Sequence, residues 1–236
     1  MTIFVGPEKH RFTVHESLVK LSSDYSRRAF TGGWKEATKG TFVMEEENPG
    51  VFACFVHWLH TDRIDYFATN DAHLFLVEAY LLGDRLGAAR FQDAVIDSFA
   101  GHWEKRNNLP DDAIMLVFTQ SLEGCKMRQF IIDRTAWEHP DALLRETNDL
   151  IHPEFAIGVY KAIVQRMTTP AIEGCSASIE FQHSFSCNNI PCAKSLDVLV
   201  GQGRVVLMAG PSQAPYKKRS NFCKAYHVHD KELACE

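Results

Sequence analysis

Polar and apolar positions alternate over Arg11-Phe12-Thr13-Val14, and Thr2-Ile3-Phe4-Val5 is a second short β-rich run. A period of two marks a strand with one face buried. Gly6-Pro7-Glu8-Lys9 between the runs is turn chemistry, so the pair predicts a β-hairpin. Thr41–Met44 predicts a third strand. Elsewhere the period lengthens to that of a helix. Ser17 to Leu21 predicts a short helical turn, and Ser23 is placed to cap a helix from Asp24 to Phe30 that Gly32-Gly33 ends. Asn48-Pro49 combines a capping side chain with proline at the first helical position. The helix that follows carries Val51, Phe52, Phe55, Val56 and Leu59 on one stripe. Asp71 caps the next, whose inward face is expected at Leu74, Val77, Tyr80 and Leu81. Gly87 breaks it, and a partner helix carries Phe91, Val95 and Phe99, so the two predict a helical hairpin.

After Trp103 the pattern changes. Glu104 to Leu109 is polar and reads as a linker. Pro110-Asp111-Asp112 opens a helix with Ile114, Met115, Val117 and Phe118 apolar. Met127 to Trp137 follows with Phe130, Ile131 and Ala136 inward, then Pro153 to Met167 with Phe155, Val159, Ile163 and Met167 at every fourth position. Beyond Ala171 little order is expected, apart from a hairpin of Leu196–Val200 and Arg204–Met208 about Gly201-Gln202-Gly203. Pro211 to Ser220 is polar and reads as a solvated segment. These changes divide the chain into residues 1–103, 104–170 and 171–236, with no internal repeat.

Composition narrows the classes. The 236 residues are 45% hydrophobic and 23% charged, ordinary values that allow a sizeable core. A net charge of -5 and a pI near 6.1 disfavour a broad nucleic-acid surface. No apolar run approaches the roughly 18 residues that span a bilayer. Pro7 and Glu8 interrupt the amino-terminal apolar run well short of a signal-peptide core. An intracellular protein, cytoplasmic or nuclear, is expected.

Candidate chemistry concentrates at the end of the chain. Of seven cysteines, five fall after residue 170: Cys175, Cys187, Cys192, Cys223 and Cys235. Cys223, His227, His229 and Cys235 offer two thiolates and two imidazoles, donors that suit a structural tetrahedral Zn²⁺. The spacing matches no common zinc finger; Cys187 and Cys192 are an alternative completion of the site, and the remaining alternative is a disordered tail with incidental cysteines and histidines. His57 and His60 share a helix face without a third ligand and read as surface or boundary residues. His15 reads as a packing or hydrogen-bonding residue where strand meets helix. Glu45-Glu46-Glu47 reads as a solvated charged turn, and Lys217-Lys218-Arg219 as a solvated basic patch. Gly201-Gln202-Gly203 lacks the rest of a dinucleotide fingerprint. There is no G-x-S-x-G elbow and no phosphate-binding loop of the Walker type.

Several segments stand together in order: Ile3-Phe4-Val5-Gly6-Pro7, Phe12-Thr13-Val14-His15, Ser22-Ser23-Asp24-Tyr25, Phe30-Thr31-Gly32-Gly33-Trp34-Lys35-Glu36 and Pro49-Gly50-Val51-Phe52. Trp58-Leu59-His60-Thr61-Asp62-Arg63-Ile64 and Tyr80-Leu81-Leu82-Gly83-Asp84-Arg85-Leu86-Gly87 complete the series. Together they resemble a BTB/POZ domain of the short fungal type. The resemblance implies an α+β fold, a small sheet flanked by helices that include a helical hairpin. An α-helical extension and a Cys/His-containing tail would follow.

The resemblance also implies a noncatalytic module that binds proteins: itself, other BTB proteins or a cullin-3 scaffold. The family's hydrophobic-x-Glu contact element falls on Trp34-Lys35-Glu36, where the alternative is that Trp34 packs after the glycines. A substrate adaptor of a cullin ubiquitin ligase is the first expectation, with a second, unidentified protein recruited elsewhere on the chain. A chromatin or transcription regulator with a zinc-stabilised tail is the second. No enzyme activity, no membrane partner and no cofactor for the BTB region are expected. Dimeric BTB proteins often carry an extra strand or helix before the first hairpin, and with Thr2 already in that hairpin a swapped-strand dimer is not expected.

Overall fold

The computed structural model describes residues 1–23, 27, 41–65, 71–106, 111–139, 152–168, 196–201, 204–209 and 214–228. The architecture is mixed α+β. The chain divides into two compact units, Met1–Gln129 with Tyr226–Glu236, and Phe130–Ala225.

The first unit opens with strands β1 (Thr2–Val5) and β2 (His10–Thr13), an antiparallel hairpin pairing Thr2 with Thr13 and Val5 with His10. Gly6 adopts φ +76°, a left-handed turn conformation open to glycine. Helix α1 (Glu16–Ser22) leads towards β3 (Thr41–Met44), which lies parallel to β1, giving the order β2-β1-β3. Register puts Ile3, Phe12 and Phe42 side by side on one face of this sheet, and Ile3 is buried.

Helix α2 (Pro49–Thr61) starts as its sequence dictates: Asn48 accepts the Gly50 N–H at 2.9 Å and Pro49 takes the first turn. Its buried face is Val51, Phe52, Cys54, Phe55 and Trp58, while Val56 and Leu59 are half-buried. The helix is therefore rotated from the expected stripe, because Trp58 is the larger apolar body. Helix α3 (Ala72–Leu86) is capped by Asp71, which accepts the Leu74 N–H at 3.0 Å. It buries nine residues, far more than one stripe, as a central helix must. Gly87 closes it at φ 60°, with the Ala88 N–H on the Gly83 carbonyl at 2.8 Å. Helix α4 (Ala89–Arg106) returns antiparallel with Phe91, Val95, Phe99 and Trp103 fully buried, and runs on past Trp103. Gly83 lets the two helices approach: a Cβ there would sit 2.7 Å from Gln92 Cγ and 3.1 Å from Phe91 Cδ1. Helix α5 (Asp111–Gln120) packs on α3 through a face of Ala113, Ile114, Val117 and Phe118.

Helix α6 (Lys126–Glu138) spans the division between the units. In the second unit Phe130 meets Tyr216 and Phe222 edge-on, with ring centroids 6.1 and 5.5 Å apart. Helix α7 (Pro153–Thr168) buries Phe155 and Val159. Its Gly158 lies so near Ile132 that a Cβ would come within 2.5 Å of Cδ1. Arg166 lays its guanidinium over Trp137 at 4.8 Å and donates to the Ala136 carbonyl at 3.0 Å. Strands β4 (Leu196–Gly201) and β5 (Arg204–Ala209) form the expected antiparallel hairpin. Helix α8 (Arg219–Tyr226) closes the described chain. It falls in a region where the sequence pattern predicted little order.

Candidate functional site

One group of polar side chains in the first unit lies along α4 and at the end of α2. Asp62 ends α2 in a left-handed conformation, φ 56°, its N–H on the Trp58 carbonyl at 2.8 Å. The turn sends Asp62, Arg63, Ile64 and Asp65 towards Ala94, Asp97 and Ser98 of α4. With His57 they line a cavity of about 610 Å³. Three carboxylates, one guanidinium and one imidazole make its wall charged and mixed in sign. Arg90 reaches Asp62 from α4 at 3.6 Å.

One turn apart on α4, Asp93 and Asp97 both engage the end of the chain. Asp97 Oδ1 lies 2.9 Å from His227 Nε2, and Asp93 Oδ1 accepts the Val228 N–H at 2.5 Å. A carboxylate only accepts, so Nε2 is the protonated nitrogen in this pair. Tyr226 is fully buried and His227 nearly so, whereas the Asp97 side chain is half exposed. Asp97 thus belongs both to the cavity wall and to the seat of the tail.

The hydrophobic interior beneath this surface is aromatic. Phe91 meets Phe55 edge-on at 5.0 Å and Trp58 at 5.2 Å. His73 packs against Phe99, His102 and Trp103 with centroids 5.3, 4.7 and 6.3 Å away. Trp58 Nε1 is buried without a hydrogen-bond partner among the described residues. Burial pushes the Cys54 thiol up to about 11, and the Asp65 charge pushes the same way against the Asp65 N–H. Burial, followed by the proximity of Cys125, likewise raises the Tyr80 phenol.

Trp34, Lys35 and Glu36, expected to meet a partner, lie outside the described residues, as do His229 and Cys235 of the expected zinc set. Cys223 is a half-buried cysteine on α8 outside any disulfide, and His227 gives its Nε2 to Asp97. Among the described residues no group of three or more His, Cys, Asp and Glu side chains is placed to hold a metal. His57 is exposed and lines the cavity. His15 and His60 are also exposed, their rings edge-on at 6.4 Å.

Of the three consecutive glutamates, Glu45 is exposed 3.8 Å from Lys9. Glu47 differs from the expected solvated turn: its side chain is 11% exposed, and Arg85 grips it with Nε and Nη2, each at 2.6 Å. Lys217 pairs with Glu138 at 3.3 Å rather than standing alone in the basic patch. The Asp93–Asp97 seat was missed from sequence. Its only local sign is two carboxylates four apart on a helix, which is commonplace on a solvated face.

No family model matches the chain, and no curated protein matches it. Among the described residues no helix is long and apolar enough to cross a membrane.

Proposed function

We propose that the chain is a noncatalytic protein-interaction module of the BTB/POZ type, working as a substrate adaptor for a cullin-3-type ubiquitin ligase. The observation that supports this most is the element order of the first unit. A β-hairpin, a third strand, a capped helix and a helical hairpin follow one another, an order compatible with a small sheet flanked by helices. Fold alone does not specify function, so the partner contact is argued from residues. Trp34 supplies a large aromatic anchor of the kind that dominates interfaces, at about 2 kcal/mol or more, and Glu36 fixes polar register beside it. A pull-down with cullin-3, comparing wild type with Trp34→Ala and Glu36→Ala, tests this. Capture by wild type and loss by Trp34→Ala is the expected result. Failure of folded wild type to bind cullin removes the adaptor role.

A second reading is a chromatin or transcription regulator whose tail binds structural zinc through Cys223, His227, His229 and Cys235. One observation favours it. Metal-ligating imidazoles give their other N–H to a carboxylate, and His227 gives Nε2 to Asp97. Elemental analysis of purified protein separates the readings: one zinc per chain supports the second, and none removes its main support.

A further inference from the structure

Asp93 and Asp97 are 135 and 130 residues distant in sequence from the groups they bind, so no local propensity brings them together. Their two contacts differ in kind. Asp93 takes a main-chain N–H, which any residue except proline offers. Asp97 takes an imidazole N–H, which only histidine offers in that position. Before them in sequence stands a fully buried aromatic ring, Tyr226. Such a combination of an aromatic anchor, a side-chain-specific contact and a backbone contact is how helix surfaces and grooves read peptide segments.

We infer that the Asp93–Asp97 ledge of α4 is a peptide-docking site that reads an aromatic–His–aliphatic segment, and that Tyr226-His227-Val228 of this same chain fills it in cis. The inference does not rest on the partner role given to Trp34. The carboxylate that meets His227 also forms part of the wall of the neighbouring cavity, so the tail and that cavity share Asp97. A segment held by a few directed contacts exchanges with an equivalent segment in trans whenever its own hold is weakened. The occupant in cis is at high effective concentration, so the intact chain resists competition.

The first test is amide hydrogen exchange of the full chain. Val228 is expected to exchange at least tenfold more slowly than in a free peptide of residues 221–230, and Asp93→Ala is expected to abolish that protection. Exchange of Val228 at the free-peptide rate in wild type would overturn the inference. The second test titrates the labelled 221–230 peptide into the full chain with chelator and reductant present, so that neither metal nor disulfides contribute. Wild type binds it poorly. Tyr226→Ala/His227→Ala, checked for folding by circular dichroism, is expected to bind at least tenfold more tightly, and adding Asp93→Ala/Asp97→Ala to that variant is expected to lose the gain. Equal binding by all three folded proteins overturns the docking site. If Tyr226→Ala/His227→Ala does not fold, the Val228 exchange result decides alone.

Discussion

Cys54 shows how a residue's setting decides its chemistry. It lies on the buried face of α2, 4% exposed, and its thiol is pushed up to about 11 chiefly by burial. The thiolate is the reactive form, so Cys54 is inert at neutral pH. A maleimide at pH 7.5 is expected to label the half-buried Cys125 and Cys223 at least tenfold faster, read by mass spectrometry. The same shift acts on stability. The unfolded thiol ionises near its ordinary value of 9.0 while the folded one stays protonated to about 11. The unfolded state therefore sheds its proton first, and stability falls as pH rises from 9 towards 11, by at most about 3 kcal/mol. Tyr80, whose phenol is also raised by burial, adds its own loss above its ordinary 10.0. The cysteine's share is thus read between pH 9 and 10. Urea unfolding at those two values should show a smaller drop for Cys54→Ala than for wild type. Identical drops would mean that the thiol is solvated in the native state.

At the scale of elements, the α3–α4 hairpin carries the sharpest expectation. Glycine to alanine inside a helix usually stabilises by about 1 kcal/mol. At Gly83 the sign reverses, because the new Cβ would lie 2.7 Å from Gln92 Cγ. Gln92 is itself buried and reaches Asp84 at 3.4 Å, so it cannot swing aside cheaply. Gly83→Ala is expected to cost about 1–3 kcal/mol in urea unfolding, and a stabilised variant would show that the helices stand further apart. Caps and breaks of this kind were legible in sequence: Asn48, Asp71 and Gly87 act where their chemistry placed them. Phe91, Val95 and Phe99 were legible too, because α4 presents one face to the core. The face of α2 was not fully legible, since periodicity gives a stripe while packing chooses among its edges. Nor was α8. Its aromatics Phe222 and Tyr226 stand four apart, but the polar residues around them outweigh that signal in composition. Ser23 illustrates the limit differently: its hydroxyl donates to the Leu86 carbonyl, a buried bond of 2.7 Å spanning 63 residues that no local pattern encodes.

For the whole molecule, the consequential fact is that the first compact unit includes the chain's end from Tyr226 as well as Met1–Gln129. That unit cannot be complete until residues 130–225 have been made, because the segment that supplies Tyr226 and the two bonds to α4 comes last. Closing so long a loop costs only slowly more with length, so the contacts can hold despite the separation. What they stabilise should be measurable. Tyr226 has no exposed surface, and truncating a buried aromatic costs about 3–5 kcal/mol. Deleting residues 226–236 is therefore expected to lower the unit's unfolding free energy by about that amount. The change would appear in the fluorescence of Trp58 and Trp103, both buried in the first unit. Tyr226→Ala alone should account for most of the loss, because the bonds from Asp93 and Asp97 are partly exposed and exchange with water at about 1 kcal/mol each. A deletion that left the unfolding midpoint unchanged would show that the amino-terminal unit is complete without its distant segment, and the docking site would then have nothing seated on it.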